Sequence, residues 1–360
     1  MSVSDWEDEA DIDDIEEGEV QPEMVERARF VVDKGQEPIR IDKYIMVRVE
    51  GATRNKVQQA IDENYVLVDG KPVKSNLKVK PGMAVVYYDN RRPERTDIIP
   101  EPMDLNIVYE DEDILVVNKP AGMVVHPGCG NYSGTLVNGV AWYLNPDQDK
   151  EKIIDLPRVG LIHRIDKDTS GLLLLGKNEE SIRKLYIQFQ DRSIHRRYIA
   201  LAWGNVEDNE GVITGNIGRN IRFRKKMDVF PDGDFGKHAV THYKVLERFH
   251  YVTLLEYRLE TGRTHQIRVH SQHIGHPLFN DPTYGGDRII KGTVYAKYKQ
   301  FIENCFKILP RQALHAKELG FVHPRTGEMM HFESEVPDDI QTVIDRWRRY
   351  IGSDVSLDRI

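Results

Sequence analysis

Residues 163–178 read His-Arg-Ile-Asp-Lys-Asp-Thr-Ser-Gly-Leu-Leu-Leu-Leu-Gly-Lys-Asn. The apolar run ending at Gly176 reads as a strand from Leu172 to Leu175, with Thr169-Ser170-Gly171 as the turn that feeds it. Ahead of the turn, Asp166 sits between Arg164 and Lys167. Cationic neighbours lower a carboxylate's pKa and hold it ionised. A fixed, ionised Asp with no metal motif nearby can serve as a covalent nucleophile or an electrostatic stabiliser. An ordinary turn also selects Asp, Thr, Ser and Gly for backbone reasons, and on chemistry alone that is the simpler account.

Downstream, further strands are expected at Tyr198 to Trp203, Ala239 to Leu246 and Val252 to Leu259, and upstream at Ile114 to Asn118, all rich in branched and aromatic residues. Helical spacing marks Glu180 to Gln190 and Pro337 to Tyr350. Strand-dominated order without βαβ alternation predicts an α+β domain around a mixed or antiparallel sheet, spanning 106–350. A second chemical block, Thr261-Gly262-Arg263-Thr264-His265-Gln266-Ile267-Arg268, turns from strand to helix, and Arg263 is a candidate partner of Asp166, although on chemistry alone a surface arginine is the simpler account. His265, His270, His273 and His276 cluster without HExxH, thiolate or carboxylate at ligand spacing, so a metal is not expected.

The chain has 360 residues and a net charge of -8, but residues 1–26 hold 12 acidic residues and no Lys or Arg. Beyond them 50 basic residues face 46 acidic ones, a net +4, so the acidity belongs to the tail. That tail is expected to be disordered and solubilising. Cys129 and Cys305 form no metal spacing, and two free thiols fit a reducing compartment. The first residues lack the positive charge and apolar core of a secretory signal, and no stretch reaches transmembrane length. A cytoplasmic protein with no membrane association is expected.

Residues 38–89 read as a separate module. Thr53 is placed to cap a helix with Val57, Ala60 and Ile61 on one face, leaving Arg54 and Lys56 outside the stripe. Asp69-Gly70 then joins Val66-Leu67-Val68 to Lys71-Pro72-Val73 as a hairpin. This helix-then-hairpin order, opened by Arg40-Ile41-Asp42-Lys43-Tyr44-Ile45, resembles the S4 RNA-binding domain, which makes Arg54 and Lys56 candidate RNA contacts. Residues 90–105, with Pro93, Pro100 and Pro102, read as a linker. Arg219 to Lys226 holds five cations, no acid and one aromatic, so Arg222, Phe223 and Arg224 are candidates to pair with phosphate and stack on a base.

Several motifs follow one another in order: Asn118-Lys119-Pro120-Ala121-Gly122, His163 to Gly171, Arg197-Tyr198-Ile199-Ala200, Thr261 to Arg268, Asp281-Pro282-Thr283-Tyr284-Gly285-Gly286 and Arg311 to Ala316. Together they resemble the pseudouridine synthases that modify large-subunit ribosomal RNA, and within them the D type. The resemblance implies that Asp166 is the catalytic aspartate, that Tyr198 stacks on the target uracil, and that Arg263 pairs with the aspartate. It further implies that Arg164 helps hold the target nucleotide out of its stack, and that Ile267 and Leu314 wall the pocket. No cofactor is implied. The partner would be 23S ribosomal RNA or a ribosomal precursor particle, and a monomer is expected. Asn280 departs from the family, whose members usually carry Gly before the aspartate at 281. Rival readings are an S4 RNA-binding protein without turnover, a synthase acting on another RNA such as tRNA, and a glycoside hydrolase using Asp168 as second carboxylate.

Overall fold

The computed structural model describes residues 25–49, 52, 54–62, 64–89, 98–128, 131–145, 156–220, 222–223, 226–231, 233, 235–293 and 295–354. The readings of residues 1–24, Thr53, the 90–97 segment, Cys129 and Arg224 lie outside them, as does the side chain of Lys56. The chain divides into two units between residues 96 and 97.

The first unit contains β1 (Val25–Val31), β2 (Ile39–Arg40), α1 (Ile41–Arg48), α2 (Arg54–Asp62), β3 (Val66–Val68), β4 (Lys71–Pro72), β5 (Lys78–Val79) and β6 (Ala84–Asp89). Strands β1-β6-β3-β4 form an antiparallel sheet, and β2 pairs with β5. The expected hairpin is present, with Asp69 (φ 50°) and Gly70 (φ 77°) both left-handed, the geometry a two-residue turn between twisted strands demands. Val57 and Ile61 of α2 pack with Ile41, Tyr44, Ile45, Val66, Val85 and Tyr87. Buried Asp42 accepts both nitrogens of the Arg40 fork, at 3.1 and 2.8 Å, which fixes the start of α1. Strand β1 departs from the sequence reading: it begins within the stretch taken as tail and lies ahead of the boundary placed at 38. Its pairing with β6 through six register positions supplies what its charged sequence does not advertise.

The second unit contains β7 (Ile107–Glu110), β8 (Ile114–Lys119), α3 (Leu136–Tyr143), a 3-10 turn at Pro157–Gly160, β9 (Ser170–Gly176), α4 (Glu179–Gln190), β10 (His195–Trp203), β11 (Glu210–Arg219), β12 (Met227–Phe230), β13 (Lys237–Arg248), β14 (Val252–Leu259), α5 (Gln266–His273), α6 (Ala296–Ile308), β15 (Leu314–Val322), β16 (Met329–Glu333) and α7 (Asp338–Asp354). One mixed sheet runs β12-β11-β13-β14-β10-β15-β9-β8-β7, with β16 added to β15. Only β9 and β15 pair in parallel among the described strands. The α+β expectation holds.

Both faces of the sheet are covered, and the pleat sorts the strands' side chains between them. Leu115, Val117, Leu173, Leu175, Tyr198 and Ala200 face Val137 and Val140 of α3 and Ile267 of α5. Their neighbours Ile199, Leu201 and Trp203 face Ile302 of α6 and Val343 and Trp347 of α7, while Ile114, Val116, Leu172 and Leu174 face Leu185 of α4. Gly171, at φ 118°, lies where a Cβ would stand 2.2 Å from the Ala316 carbonyl oxygen, so the parallel contact requires glycine.

Residues 98–105 correct the linker reading. Ile98 and Leu105 pack on the core, Asn138 donates 2.8 Å to the Ile99 carbonyl, and the Glu101 amide donates 3.0 Å to the Asn138 carbonyl. The prolines keep the segment extended, and its apolar residues Ile98 and Leu105 give it a surface to bury. Among the described residues no helix is long and apolar enough to cross a membrane.

Candidate active site

A cavity of about 680 Å³ opens where the loop before β9, the strand β10, the start of β15 and the N-terminus of α5 converge. Asp166, Arg164, Tyr198, Arg263, Arg268, Ile267 and Leu314 all line it. The sequence therefore brought the aspartate, tyrosine and pocket-wall residues to one place across about 150 residues of chain. Arg222 and Phe223 do not line this cavity. They stand exposed on the turn between β11 and β12, where their amides both donate to the Asn220 side chain, at 2.8 and 2.6 Å. Arg54 is likewise exposed on the first unit, 3.9 Å from Asp42.

Asp166 is held from its side chain and from its backbone. Its Oδ2 accepts a 3.0 Å hydrogen bond from Nη1 of Arg268, and the side chain keeps about a fifth of its surface exposed to the cavity. Burial pushes its carboxyl up; the charges of His265, Arg268 and Arg164 and the Arg268 hydrogen bond outweigh this and hold it below the usual carboxylate value. Behind it, the Lys119 ammonium, almost fully buried, donates 2.8 Å to each of the carbonyls of Pro120, Met123 and Lys167. Burial pulls Lys119 down to about 7, yet three carbonyl acceptors require three N–H donors, and only the charged form has them. The Gly122 amide adds a 2.9 Å bond to the same Lys167 carbonyl, and Arg311 Nη1 holds the Asp168 carbonyl at 2.9 Å.

The partner of Asp166 corrects the sequence reading. Arg263 stands before α5, where its Nε donates 3.2 Å to the His238 carbonyl; the ion pair with Asp166 is made by Arg268. His265 explains the exchange. Its left-handed backbone, φ 53°, turns the chain into α5 and leaves Arg263 on the approach, while Arg268 falls in the first helical turn. The Arg268 fork grips fully buried Asp281 with Nε–Oδ2 2.7 Å and Nη2–Oδ1 2.9 Å, and Thr283 Oγ1 accepts at 2.9 Å. Burial opposes the Arg268 charge, but hydrogen bonding to Asp281 and the two carboxylates raise its pKa above the ordinary arginine value. Asp281 in turn accepts the amides of Thr283 and Tyr284 at 3.0 and 3.2 Å. Asn280, the departure from the family pattern, has φ 57°; Asn tolerates this left-handed position best after glycine, and its amide reaches the Leu309 carbonyl at 2.6 Å.

Tyr198 is buried, 6 % exposed, and burial raises its phenol pKa, with Asp166 adding to the effect and Arg196 opposing it. It can offer a ring face more readily than a base. Glu260 is a second carboxylate at the cavity wall, occupied by His242 at 2.6 Å and Arg192 at 3.5 Å; the His242 hydrogen bond, the largest influence, lowers its pKa, the wrong direction for a general acid. Asp168 does not line the cavity. The wall also carries the cations Arg158, Arg164, Arg192, Arg196, Lys237 and Arg263, set among apolar and neutral polar residues. Sequence reading does not single out Arg196, Lys119 and Asp281, whose places at the site depend on how separate segments meet: Lys119 with the Lys167 carbonyl and Asp281 with Arg268. Only the position of Arg268, in the first turn after the block's glycine, carried a usable signal.

One ionised carboxylate at the foot of a basic slot, in a chain with a second RNA-binding-type module, marks a nucleic-acid-modifying enzyme. The model of the RNA pseudouridylate synthase family matches residues 113–273, and that of the S4 domain matches residues 39–85. An uncharacterized RNA pseudouridine synthase of Chlorobaculum parvum is 45% identical over 318 residues, 88% of this chain and 96% of the relative. The ribosomal large subunit pseudouridine synthase D of Neisseria meningitidis serogroup A is 41% identical over 88% of this chain and 81% of its own. The solved structure of human RNA pseudouridylate synthase domain containing 4 shares the fold, with a TM-score of 0.51 and 22% identity over 68% of this chain and 93% of that one. The chain belongs to the RNA pseudouridine synthase family, isomerases that act on RNA.

Proposed function

We propose that the cavity converts specific uridines of large-subunit ribosomal RNA to pseudouridine, with Asp166 as the reacting carboxylate and no cofactor. The observation that carries this reading is the chain Asp281–Arg268–Asp166, which holds one carboxylate charged and aimed in a slot rich in cations. The RNA class is taken from the relatives named as ribosomal large subunit pseudouridine synthase D.

In the reaction the N1–C1′ bond breaks, the uracil turns while held, and a C5–C1′ bond forms. An anionic Asp166 serves either by attacking C1′ or by assisting loss of the C2′ proton. A stacked uridine must first be flipped out, at a cost of a few kcal/mol that stacking on Tyr198 and insertion of exposed Arg164 offset. Ile267 and Leu314, both nearly fully buried, close the slot so that the detached base is retained and recombination is effectively unimolecular. Arg222 and Phe223, with the S4 unit and its Arg54, supply RNA contacts beyond the slot.

The test is complementation. Wild type and Asp166→Ala are expressed in cells lacking the endogenous synthase, and pseudouridines are mapped in ribosomal RNA and tRNA by chemical adduct and primer extension. Wild type restores sites in 23S RNA and the alanine variant restores none. Sites confined to tRNA would overturn the substrate, and an active alanine variant would overturn the mechanism.

A further inference from the structure

Arg196 projects from β10 into the cavity, two residues before Tyr198. Its Nε is buried without a hydrogen-bond partner, and among the described residues no carboxylate lies at ion-pair distance from its guanidinium. The group is nonetheless pinned: its Cζ lies 5.1 Å from the centroid of the Phe189 ring, whose other neighbour is His163, at 4.8 Å between centroids. A desolvated cation without a counter-charge is costly, and burial accordingly lowers its pKa. Arg196 is half-buried with its Nε enclosed, and the buried cations nearby both have oxygen partners, Arg268 its two carboxylates and Lys119 its three carbonyls. The space before Arg196 is kept open by Gly262, where a Cβ would come within 3.0 Å of Nη1. Gly262 has no left-handed backbone to justify glycine, so clearance for this guanidinium is the reason the structure offers.

We propose that Arg196 is a phosphate-binding residue for the target strand, its missing anion being the phosphodiester next to the flipped uridine. The inference rests on the reading of Tyr198 as the face against which the uracil lies. Two residues along a strand span about 6.6 Å, so a base on Tyr198 places its sugar between the two side chains and its phosphate at the guanidinium. A planar fork matches two phosphate oxygens at once. The arrangement fixes the nucleotide at both ends and leaves C1′ between them.

Because Arg196 has no acidic partner, replacing it orphans no buried carboxylate, and this separates a binding role from a structural one. Arg196→Met, Arg196→Lys and Gly262→Ala are compared with wild type for melting temperature and for affinity to an unmodified transcript of 23S ribosomal RNA across a salt series. Arg196→Met is expected to melt at or above the wild-type temperature, to bind about tenfold more weakly, and to lose about 0.7 from the slope of log Kd against log salt. Arg196→Lys keeps the slope, and Gly262→Ala weakens binding at unchanged melting temperature. An unchanged Kd and slope overturns the proposal. So does weaker binding at unchanged slope, which assigns Arg196 to the uracil, and so does a melting temperature lowered by several degrees, which makes it structural. Wild-type turnover on the same transcript reports separately on whether this RNA is a substrate.

Discussion

Replacing Arg268 by lysine isolates what the guanidinium does beyond carrying charge. Arginine here makes four hydrogen bonds from three nitrogens: two to Asp281, one to Asp166 and one to Thr283. A single ammonium nitrogen cannot span both carboxylates in that geometry. Asp281, fully buried, retains the lysine because leaving it unpaired is the costlier alternative, while Asp166, a fifth exposed, is released to the cavity. One charge-assisted hydrogen bond is worth about 1.5–3 kcal/mol, so kcat should fall by about 10- to 150-fold. Deleting the cation outright would orphan two carboxylates at about 3–5 kcal/mol, a large share of a domain's stability, which makes lysine the informative substitution. The assay is single-turnover pseudouridine formation from pH 4 to 8. Wild type should hold its rate to the acid end of this range, since Asp166 stays ionised there; the variant's acid limb should move up into it. Arg263→Lys, whose guanidinium donates to the His238 carbonyl, should leave the acid limb in place. A lysine variant with wild-type kcat and an unmoved limb would refute the idea that Arg268 keeps Asp166 charged and aimed.

Three further outcomes are expected. Burial holds His163 neutral down to about 3 and His270 and His315 down to about 4; unfolded histidines protonate near 6.5, so their contribution is complete above that pH and is lost as pH falls, by up to about 4 kcal/mol per unit when all three differ. The urea midpoint should therefore drop between pH 7.5 and 5, and a midpoint that holds or rises contradicts this. Gly171→Ala forces a Cβ to 2.2 Å from the Ala316 carbonyl at φ 118° and should cost at least about 3 kcal/mol, read by thermal denaturation; an unchanged melting temperature would show that β9 and β15 can part freely. Lys119→Met removes the donor shared by three carbonyls, of which only that of Lys167 keeps another in the Gly122 amide, and should lower both stability and kcat, whereas Lys167→Ala, which leaves its carbonyl in place, should do neither.

Legibility in the sequence followed the range of the interactions involved. The strands Ile114–Lys119 and Val252–Leu259 and the helix Glu179–Gln190 announced themselves through local period and composition, and the Asp69-Gly70 hairpin through its turn chemistry. Strand β15 went unread because Leu314–Val322 mixes His, Lys and Glu into its apolar run. Its His315 is buried between Ser170 at 3.0 Å and Ser334 at 2.9 Å, partners no local pattern reveals. At the site, chemistry alone never separated Asp166 from a turn residue; its companions became visible only through the ordered motifs. The Arg263 pairing differs for a geometric reason: both arginines line the cavity, but beyond the left-handed residue at 265 it is Arg268, in the first turn of α5, that reaches Asp166. The S4-like stripe of α2 was legible, but the pairing partner of β6 was not, since Val25–Val31 is half charged.

The parallel contact between β9 and β15 has a bearing on when the enzyme comes alive. The loop carrying Asp166 is seated by Arg311 at the Asp168 carbonyl and by the pairing of Ser170 with His315, groups more than 140 residues later in the chain. A ribosome delivers the N-terminal part of a chain first. The RNA-binding unit and even the aspartate therefore emerge well before the strand that fixes the aspartate in place. On the role proposed for Asp166, a chain ending before residue 311 lacks the groups that seat its loop, so the chemistry would wait until synthesis is nearly complete.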